Sequence, residues 1–170
     1  LEWAVDNLVS FYVFDVERLG RAVEAAKQVG KPARIHLELE TGMHRLGLEE
    51  GDLEQVVELL SNNARRIRLE GVSTHFAGAE SMANSVRIHR QIEEYDRLVA
   101  WLAERGVTPQ FRHTACSAAA LTYPHTALDM VRVGIAQYGY WPNQETRMYY
   151  VMRTGPGTVD KTHTFLKGIL

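Results

Sequence analysis

Residues 33–48 read ARIHLELETGMHRLGL, and the first half of this stretch alternates polar and apolar side chains. Such an alternation predicts a β-strand over Ala33–Glu40, which the dipeptide Thr41-Gly42 ends. An amphipathic helix is predicted next, over Leu53–Leu60, because its apolar residues fall on one helical face. A strand followed by a helix is the repeating unit of parallel sheets, so this stretch favours an α/β fold.

The same order of strand and helix recurs along the chain. Five runs are predicted as strands from their β-branched, aromatic or alternating residues: Asn7–Phe14, Ala33–Glu40, Leu69–Phe76, Phe111–Ala115 and Asp129–Gln137. Helices are predicted over 16–29, 53–60 and 81–105, with a helical turn at 117–121. No Asn-Gly hairpin signal separates the strands. Parallel strands are therefore expected, and a doubly wound sheet and part of a βα barrel both fit this order.

The composition excludes several classes of protein. The 170 residues are 45% hydrophobic and 24% charged, with a formal net charge of −2. No apolar run approaches the ~20 residues that cross a bilayer, and the near-neutral charge argues against a dedicated nucleic-acid binder. The single cysteine, Cys116, excludes an internal disulfide, and the seven histidines form no metal-binding motif. We therefore expect no membrane, no nucleic acid and no metal.

Polar residues stand near the carboxyl ends of the predicted strands, where βα barrels place their chemistry. Glu38 and Arg45 lie at and after the end of the second strand, and His75 lies at the end of the third. A glutamate such as Glu38, taken alone, faces solvent as often as it serves a site. A histidine such as His75, taken alone, is more often a hydrogen-bonded core residue than a catalytic one. Arg132 is harder to explain, because apolar residues flank it in MVRVGI and a guanidinium keeps its charge and needs an acceptor.

Two features indicate phosphate binding. Ser117 opens a run of small residues at a predicted helix N-terminus, where free N–H groups and the helix dipole favour an anion. Gly134, in the last predicted strand, would let a backbone N–H come close to a ligand oxygen. The last two loops of a βα barrel often form such a site, although a run of small residues is also a common packing device.

Four motifs, in this order, resemble the alanine racemases: ETGMHRLGL (40–48), GVSTHFAGAE (71–80), HTACSAAAL (113–121) and DMVRVGIAQYG (129–139). The resemblance spans roughly Asn7–Gly139. It implies an enzyme that uses pyridoxal 5′-phosphate to interconvert L- and D-alanine with two proton-transfer bases. It also implies a partial (β/α)8 TIM-type barrel of parallel strands, about strands four to eight, over residues 1–142. Residues 143–170 are then a linker or the start of a further domain.

The resemblance also assigns cofactor-binding roles. Arg132 matches the arginine that donates a hydrogen bond to the pyridine nitrogen of the cofactor. Ser117 and the N–H groups of Gly134 and Ile135 match the phosphate cradle, and His75 matches the histidine that packs near the ring and contacts the arginine. Because an arginine only donates, the ring nitrogen is expected to stay unprotonated.

Arg45 matches the arginine near the cofactor phenolate and the substrate carboxylate, and its surroundings depart from the family pattern. Glu38 stands where many relatives carry a carbamylated lysine that orients this arginine. Since Glu38 is already an anion, we expect it to hold Arg45 by a charge-assisted hydrogen bond. Glu40 stands where aspartate is commoner, and Cys116 stands where asparagine is commoner.

Neither proton-transfer base of the family is found. The Schiff-base lysine belongs to a motif resembling VKANAYGHG, and none of Lys27, Lys31, Lys161 and Lys167 has that context. The second base is a tyrosine in a C-terminal β-domain, donated across a dimer interface. We therefore interpret the chain as an internal fragment, inactive alone, of a cytoplasmic homodimer that acts on alanine and supplies D-alanine for peptidoglycan.

Two alternatives stay open. Related barrels include racemases of serine or basic amino acids and amino-acid decarboxylases, and their substrates are chosen largely by other parts of the protein. A non-catalytic module that binds pyridoxal 5′-phosphate is the second alternative.

Overall fold

The computed structural model describes residues 1–155, and its elements alternate between strand and helix. The strands are β1 (Phe11–Val13), β2 (Ala33–Glu38), β3 (Ile67–Ser73) and β4 (Phe111–His113). The helices are α1 (Glu2–Asp6), α2 (Val16–Val29), α3 (Leu53–Asn62), α4 (Ser85–Glu104), α5 (Ser117–Thr122) and α6 (Gln144–Thr154). Short 3-10 helices occupy Glu50–Asp52, Met82–Asn84, Pro124–Thr126 and Ile135–Tyr138. The α/β class expected from the sequence is confirmed.

The strands form one sheet in the order β1-β2-β3-β4. β1 pairs in parallel with β2, with Phe11 opposite Ile35, and β2 pairs in parallel with β3, with Ala33 opposite Ile67. A doubly wound sheet reverses its strand order at one point, whereas neighbours in this sheet follow one another along the chain. Four parallel strands that neighbour one another in chain order match the expected partial barrel, which is confirmed.

A β-bulge between β2 and β3 places a buried carboxylate in the sheet. The register shifts between Ile35 and His36, so that Glu70 is the extra residue of β3. The Glu70 carboxylate accepts hydrogen bonds from the Ser10 hydroxyl and from Nε of Arg34. Burial would raise the pKa of Glu70, but these two donors outweigh it and lower that pKa below its ordinary value. The bulge thus keeps a satisfied ion pair within the sheet.

The described chain divides into two compact units, of which the first comprises residues 1–75 and 91–112. Its hydrophobic core is formed by strands and helices together, and its large, fully buried side chains include Leu19, Ile35, Leu37, Leu53, Tyr95, Leu98 and Leu102. Burying each such side chain contributes about 1.5–3 kcal/mol. Asp15 caps the N-terminus of helix α2, where its carboxylate accepts a hydrogen bond from Arg18 N. Gly30, with a φ of +73°, caps the C-terminus.

Of the described residues, the second unit comprises 76–90 and 113–155. Helix α5 packs against α6 in this unit. Asn143 caps α6 by accepting from Thr146 N at 2.8 Å, and the Glu145 carboxylate accepts from the Ser81 hydroxyl at 3.0 Å. Polar contacts therefore anchor the N-terminus of α6, while Met152 in its last turn is exposed.

The prediction of a fifth strand over Asp129–Gln137 is wrong. Within it only Arg132 forms a β-bridge, in parallel with Cys116, and a 3-10 helix begins at Ile135. The apolar neighbours of Arg132 are not buried as their pattern indicates, since Val131 is 40% exposed and Val133 is 42% exposed. Alternating apolar residues form a strand only where a neighbouring strand completes the hydrogen bonds, and this segment makes a single bridge within the described chain.

Other differences concern the bounds of elements. β1 is shorter than the predicted Asn7–Phe14, and α4 begins at Ser85 because a 3-10 turn precedes it. The stretch predicted as a linker contains helix α6, and the remaining residues of that prediction, with Lys161 and Lys167, lie outside the described residues. No helix within residues 1–155 is long and apolar enough to cross a membrane.

Candidate functional site

The loop from Glu40 to Leu48 carries the first group of candidate residues, and glycine fixes its shape. Leu39 and Leu48 form a parallel bridge, in which Leu48 N donates to Glu38 O at 2.7 Å and Glu40 N donates to Leu48 O at 3.0 Å. Gly47 has a φ of +146°, and a Cβ at this position would lie 2.6 Å from Glu40 N. Only glycine therefore allows the loop to close on itself.

The Glu40 carboxylate caps this loop from within. Oε1 accepts from Gly42 N at 2.5 Å, and Oε2 accepts from His44 N at 2.9 Å. Burial would raise the pKa of Glu40, but the backbone N–H groups of residues 42–45 outweigh it and lower that pKa. Glu40 is therefore ionised at neutral pH and holds the backbone that presents Arg45.

Arg45 is exposed on this loop, while Glu38 is half-buried at the end of β2. Within residues 1–155 the Arg45 guanidinium makes no ion pair or side-chain hydrogen bond, so it does not contact Glu38 in this structure. Hydrogen bonds hold each backbone: Glu38 lies opposite Ser73 in the sheet, and Arg45 follows His44, whose N–H donates to Glu40. The pairing of Glu38 with Arg45 stays a prediction for the enzyme with its ligands bound.

His75 follows β3 beside a chain of buried hydrogen bonds. Thr74 Oγ1 donates to Leu39 O at 2.9 Å, and Thr41 Oγ1 lies 2.7 Å from Thr74 Oγ1. Nε2 of Gln91, on α4, donates to Thr41 Oγ1 and to His75 O, each at 3.3 Å. The side chain of Gln91 therefore joins a residue that follows β2 to one that follows β3.

Arg132 lies in the second unit, where its acceptors come from the end of β4. Its Nη1 lies 2.6 Å from His113 Nδ1 and 2.9 Å from His113 O, and its Nη2 lies 3.2 Å from Thr114 O. The backbone N–H of Arg132 donates to Ala115 O at 2.9 Å. Because a guanidinium only donates, His113 Nδ1 is the acceptor and the imidazole is protonated on Nε2. The sequence predicts that Arg132 needs an acceptor, and His113 and Thr114 supply acceptors for it.

Ser117, buried in the first turn of α5, gathers the donors that the sequence assigns to phosphate. Its Oγ accepts from Gly134 N at 3.0 Å and from Ala136 N at 3.4 Å. Within the described part of the chain, Ile135 N–H makes no hydrogen bond. A Cβ at Gly134 would meet no atom within 4 Å, so the space beside these donors is open. The structure therefore brings Ser117, Gly134 and Ile135 together.

This donor set fits the phosphate of pyridoxal 5′-phosphate. A serine hydroxyl and backbone N–H groups at the starts of two short helices supply hydrogen-bond donors, and phosphate oxygens are acceptors. Arg132, in the same unit, adds a cationic donor that His113 orients. Residues 1–155 contain no group of three or more His, Cys, Asp or Glu side chains that could hold a metal ion.

Two supporting residues, His113 and Gln91, have roles that were missed at the sequence level. His113 could have been found, because an arginine that follows a strand needs an acceptor and a histidine ends that strand. Gln91 gives no such signal, since an amide on an amphipathic helix usually faces solvent. Only the structure shows that Gln91 is 1% exposed.

Comparison with known proteins identifies the family. Residues 1–142 match the family model described as alanine racemase, N-terminal domain. Alanine racemase 1 of Oceanobacillus iheyensis is 32% identical over 145 residues, which cover 85% of this chain and 38% of that relative. The alanine racemase of Symbiobacterium thermophilum is 38% identical over 131 residues, which cover 76% of this chain and 34% of that relative. The chain therefore spans less than two fifths of the length of these relatives.

Solved structures give the same result. The alanine racemase from Streptomyces coelicolor A3(2) has a TM-score of 0.81 and 32% identity, and the match covers 85% of this chain and 38% of that one. The alanine racemase from Bacillus anthracis with bound L-Ala-P has a TM-score of 0.77 and 34% identity, over 86% of this chain and 38% of that one. Since the family model matches most of its length, the chain belongs to the alanine racemase N-terminal domain family.

Proposed function

We propose that this chain forms part of a pyridoxal 5′-phosphate-dependent alanine racemase, which interconverts L- and D-alanine by two-base proton transfer. The observation that carries the proposal is the Arg132 guanidinium, which His113 Nδ1 and two carbonyl oxygens hold at the end of β4. The grouping of Ser117 with Gly134 in the same unit supports it, as do relatives that bear the name alanine racemase.

Arg132 sets the protonation state of the cofactor ring in this proposal. A guanidinium keeps its charge and only donates, so a ring nitrogen facing Arg132 accepts a hydrogen bond and stays unprotonated. The cofactor supplies, when bound, a ring that withdraws electrons from the substrate α-carbon. Because an unprotonated ring withdraws electrons less strongly, the reaction depends more on well-placed proton-transfer bases.

Ser117 and Ile135 donate to the phosphate, and Gly134, whose N–H donates to Ser117 Oγ in this structure, orients the serine hydroxyl. The Ser117 oxygen already accepts hydrogen bonds from two backbone N–H groups, so its own O–H is available to donate to a phosphate oxygen. Ile135 N–H is available as a second donor at the start of the 3-10 helix. A hydroxyl and an N–H at helix N-termini are the usual means by which proteins bind this group.

Arg45, Glu38 and His75 act toward the substrate and the ring. We assign Arg45 to the substrate carboxylate, Glu38 to the anion that orients Arg45, and His75 to the neighbour of the cofactor ring. The shape of the Arg45 loop, which Gly47 and the ionised Glu40 fix, supports the first assignment. A Glu38→Gln change should lower activity, and unchanged activity would contradict the assignment of Glu38.

For the whole enzyme we propose a cytoplasmic homodimer that supplies D-alanine for peptidoglycan. The likeness to relatives named alanine racemase supports membership of the family on which this proposal rests. A small amino acid is the proposed partner, and the net charge of −2 gives no reason to add nucleic acid.

Racemisation of alanine by the intact, cofactor-loaded enzyme tests the proposed function. L-alanine should be converted to D-alanine, and Arg132→Met should lower kcat by about 100-fold, as removal of a fixed donor does elsewhere. Arg21→Met, on the exposed face of α2, is the matched control and should leave kcat unchanged. Turnover of L-serine or L-lysine without turnover of alanine would replace the substrate, and failure to bind pyridoxal 5′-phosphate would overturn the proposal.

A further inference from the structure

The side chain of Gln91 is placed where a single residue can fix two parts of the first unit. Gln91 lies in α4 and is 1% exposed. Its Nε2 lies 3.3 Å from Thr41 Oγ1, near the start of the loop from Glu40 to Leu48 (the Arg45 loop), and 3.3 Å from the backbone oxygen of His75. An amide nitrogen carries two hydrogens, so both hydrogen bonds can form at once.

The hydrogen bonds run in one direction from Gln91. Thr74 Oγ1 donates its only hydrogen to Leu39 O, so Thr41 Oγ1 is the donor in its 2.7 Å contact with Thr74 Oγ1. Among residues 1–155, Thr41 Oγ1 therefore accepts a hydrogen bond from Gln91 Nε2 alone. This series of hydrogen bonds starts at the Gln91 amide and ends at the backbone oxygen of Leu39, the residue that pairs with Leu48.

The stem of Gln91 also lies against the loop. A Cβ built at Gly42 would lie 3.3 Å from Gln91 Cγ, so the backbone of Gly42 passes close to this side chain. Gly42 N donates to Glu40, which caps the Arg45 loop. The loop is thus shaped by Glu40 and placed by Gln91.

We propose that Gln91 is a positioning residue, which fixes the Arg45 loop relative to the backbone of His75 through the two hydrogens of its amide. The inference rests on the proposed function for the roles of Arg45 and His75. A displacement of about 1 Å at a group that orients a substrate can lower the rate by about 100-fold. A loosened loop should act mainly on substrate binding, because Arg45 is the residue assigned to the substrate carboxylate.

The test compares Gln91→Met with Gln55→Met, the same exchange at an exposed position of α3. Gln91→Met keeps the length of the side chain and removes both donors. In the intact enzyme, KM for alanine should rise about tenfold with a smaller change in kcat, and Gln55→Met should change neither. Gln91→Glu keeps one donor while its new carboxyl is protonated, so its KM should rise with pH more steeply than that of the wild type.

Amide hydrogen exchange provides a readout that needs no cofactor and no activity. In Gln91→Met, the N–H groups of Gly42 and His44 should exchange about tenfold faster than in the wild type, while those of α2 should not change. If exchange and KM both match the wild type, the positioning role is overturned, whether or not the enzyme racemises alanine. If the wild type does not racemise alanine but exchange still accelerates, the proposed function fails and the placement of the loop by Gln91 stands. If Gln91→Met does not fold, the exchange and pH profile of Gln91→Glu decide the question.

Discussion

The Arg45 loop and the Arg132 segment each carry an arginine with an assigned role, but the two are held in different ways. The loop is closed by the bridge between Leu39 and Leu48, by Gly47 and by the Glu40 carboxylate, and Arg45 takes no part in holding it. The segment over residues 129–137 (the Arg132 segment) makes one bridge, and the side chain of Arg132 itself donates hydrogen bonds that anchor it to His113 and Thr114.

Arg45 is therefore assigned a role in the reaction alone, whereas Arg132 has an assigned role in the reaction and also holds the structure around it. Arg45 can be replaced without loss of any contact that shapes its loop. Replacing Arg132 removes a guanidinium and also leaves His113 Nδ1 and Thr114 O without this donor. Each unsatisfied buried acceptor costs about 1–3 kcal/mol, so a lower activity at Arg132 requires a measurement of stability beside it.

The largest change in the free energy of unfolding is expected at Gly47, where the Arg45 loop closes on Glu40. Gly47→Ala places a Cβ against the backbone of Glu40 at a φ of +146°, so the free energy of unfolding should fall by about 3 kcal/mol. Urea denaturation measures this change. Gly51→Ala is the control, because a Cβ at Gly51 meets nothing within 4 Å and its φ is not in the left-handed region. Equal stability of the two variants would show that Gly47 does not hold the loop.

The Arg132 segment is tested by the residue that anchors it. His113→Phe removes the Nδ1 acceptor from a buried position and should lower the free energy of unfolding by about 2 kcal/mol. His113→Asn places a carbonyl oxygen near the site of Nδ1 and should recover part of this loss. If the two variants are equally destabilised, volume rather than the hydrogen bond to Arg132 accounts for the effect.

A smaller effect is expected at the phosphate cradle. Ser117→Ala removes one donor to the phosphate, so the affinity for pyridoxal 5′-phosphate should fall about tenfold, or about 1.4 kcal/mol. Fluorescence titration with the cofactor measures it, and Ser61→Ala, on the exposed surface of α3, is the control. An unchanged dissociation constant would remove Ser117 from the cradle.

The smallest change in stability is expected on removal of the Glu40 charge, which accepts hydrogen bonds from the backbone of the Arg45 loop. The pKa of Glu40 is lowered in the folded chain, so its contribution is present above its ordinary value of 4.5 and is lost as the pH falls through the lowered pKa. Glu40→Gln should therefore cost about 1 kcal/mol at neutral pH, and its difference from the wild type should shrink in acid. Glu58→Gln, which is exposed, should differ from the wild type at neither pH. A difference for Glu40→Gln that stays constant with pH would contradict this role of the charge.

The parts of the fold that short stretches determine could be predicted from the sequence. The alternation in Ala33–Glu40 predicts β2, and the Asp15 cap and Gly30 mark the ends of α2. The segment around Arg132 has the same kind of pattern and still forms no strand, because strand pairing depends on a neighbour that a local pattern does not reveal.

The candidate site follows the same rule. The grouping of Ser117 with Gly134 could be predicted, because motif order and barrel topology bring the ends of successive strands to one side. The hydrogen bonds of Gln91 and Glu40 could not be predicted, since each depends on which oxygen or nitrogen lies within 3.5 Å in the folded chain.

The bridge between Leu39 and Leu48 makes the Arg45 loop a closed ring of fixed circumference. A residue added or deleted between Glu40 and Gly47 would change how the backbone of Gly47 passes Glu40 N, so we expect such a change to open the loop. An exchange of the whole segment for one of equal length from a relative keeps both ends in place. We therefore expect the loop to tolerate substitution of its exposed side chains, such as His44 and Leu46, better than a change in its length.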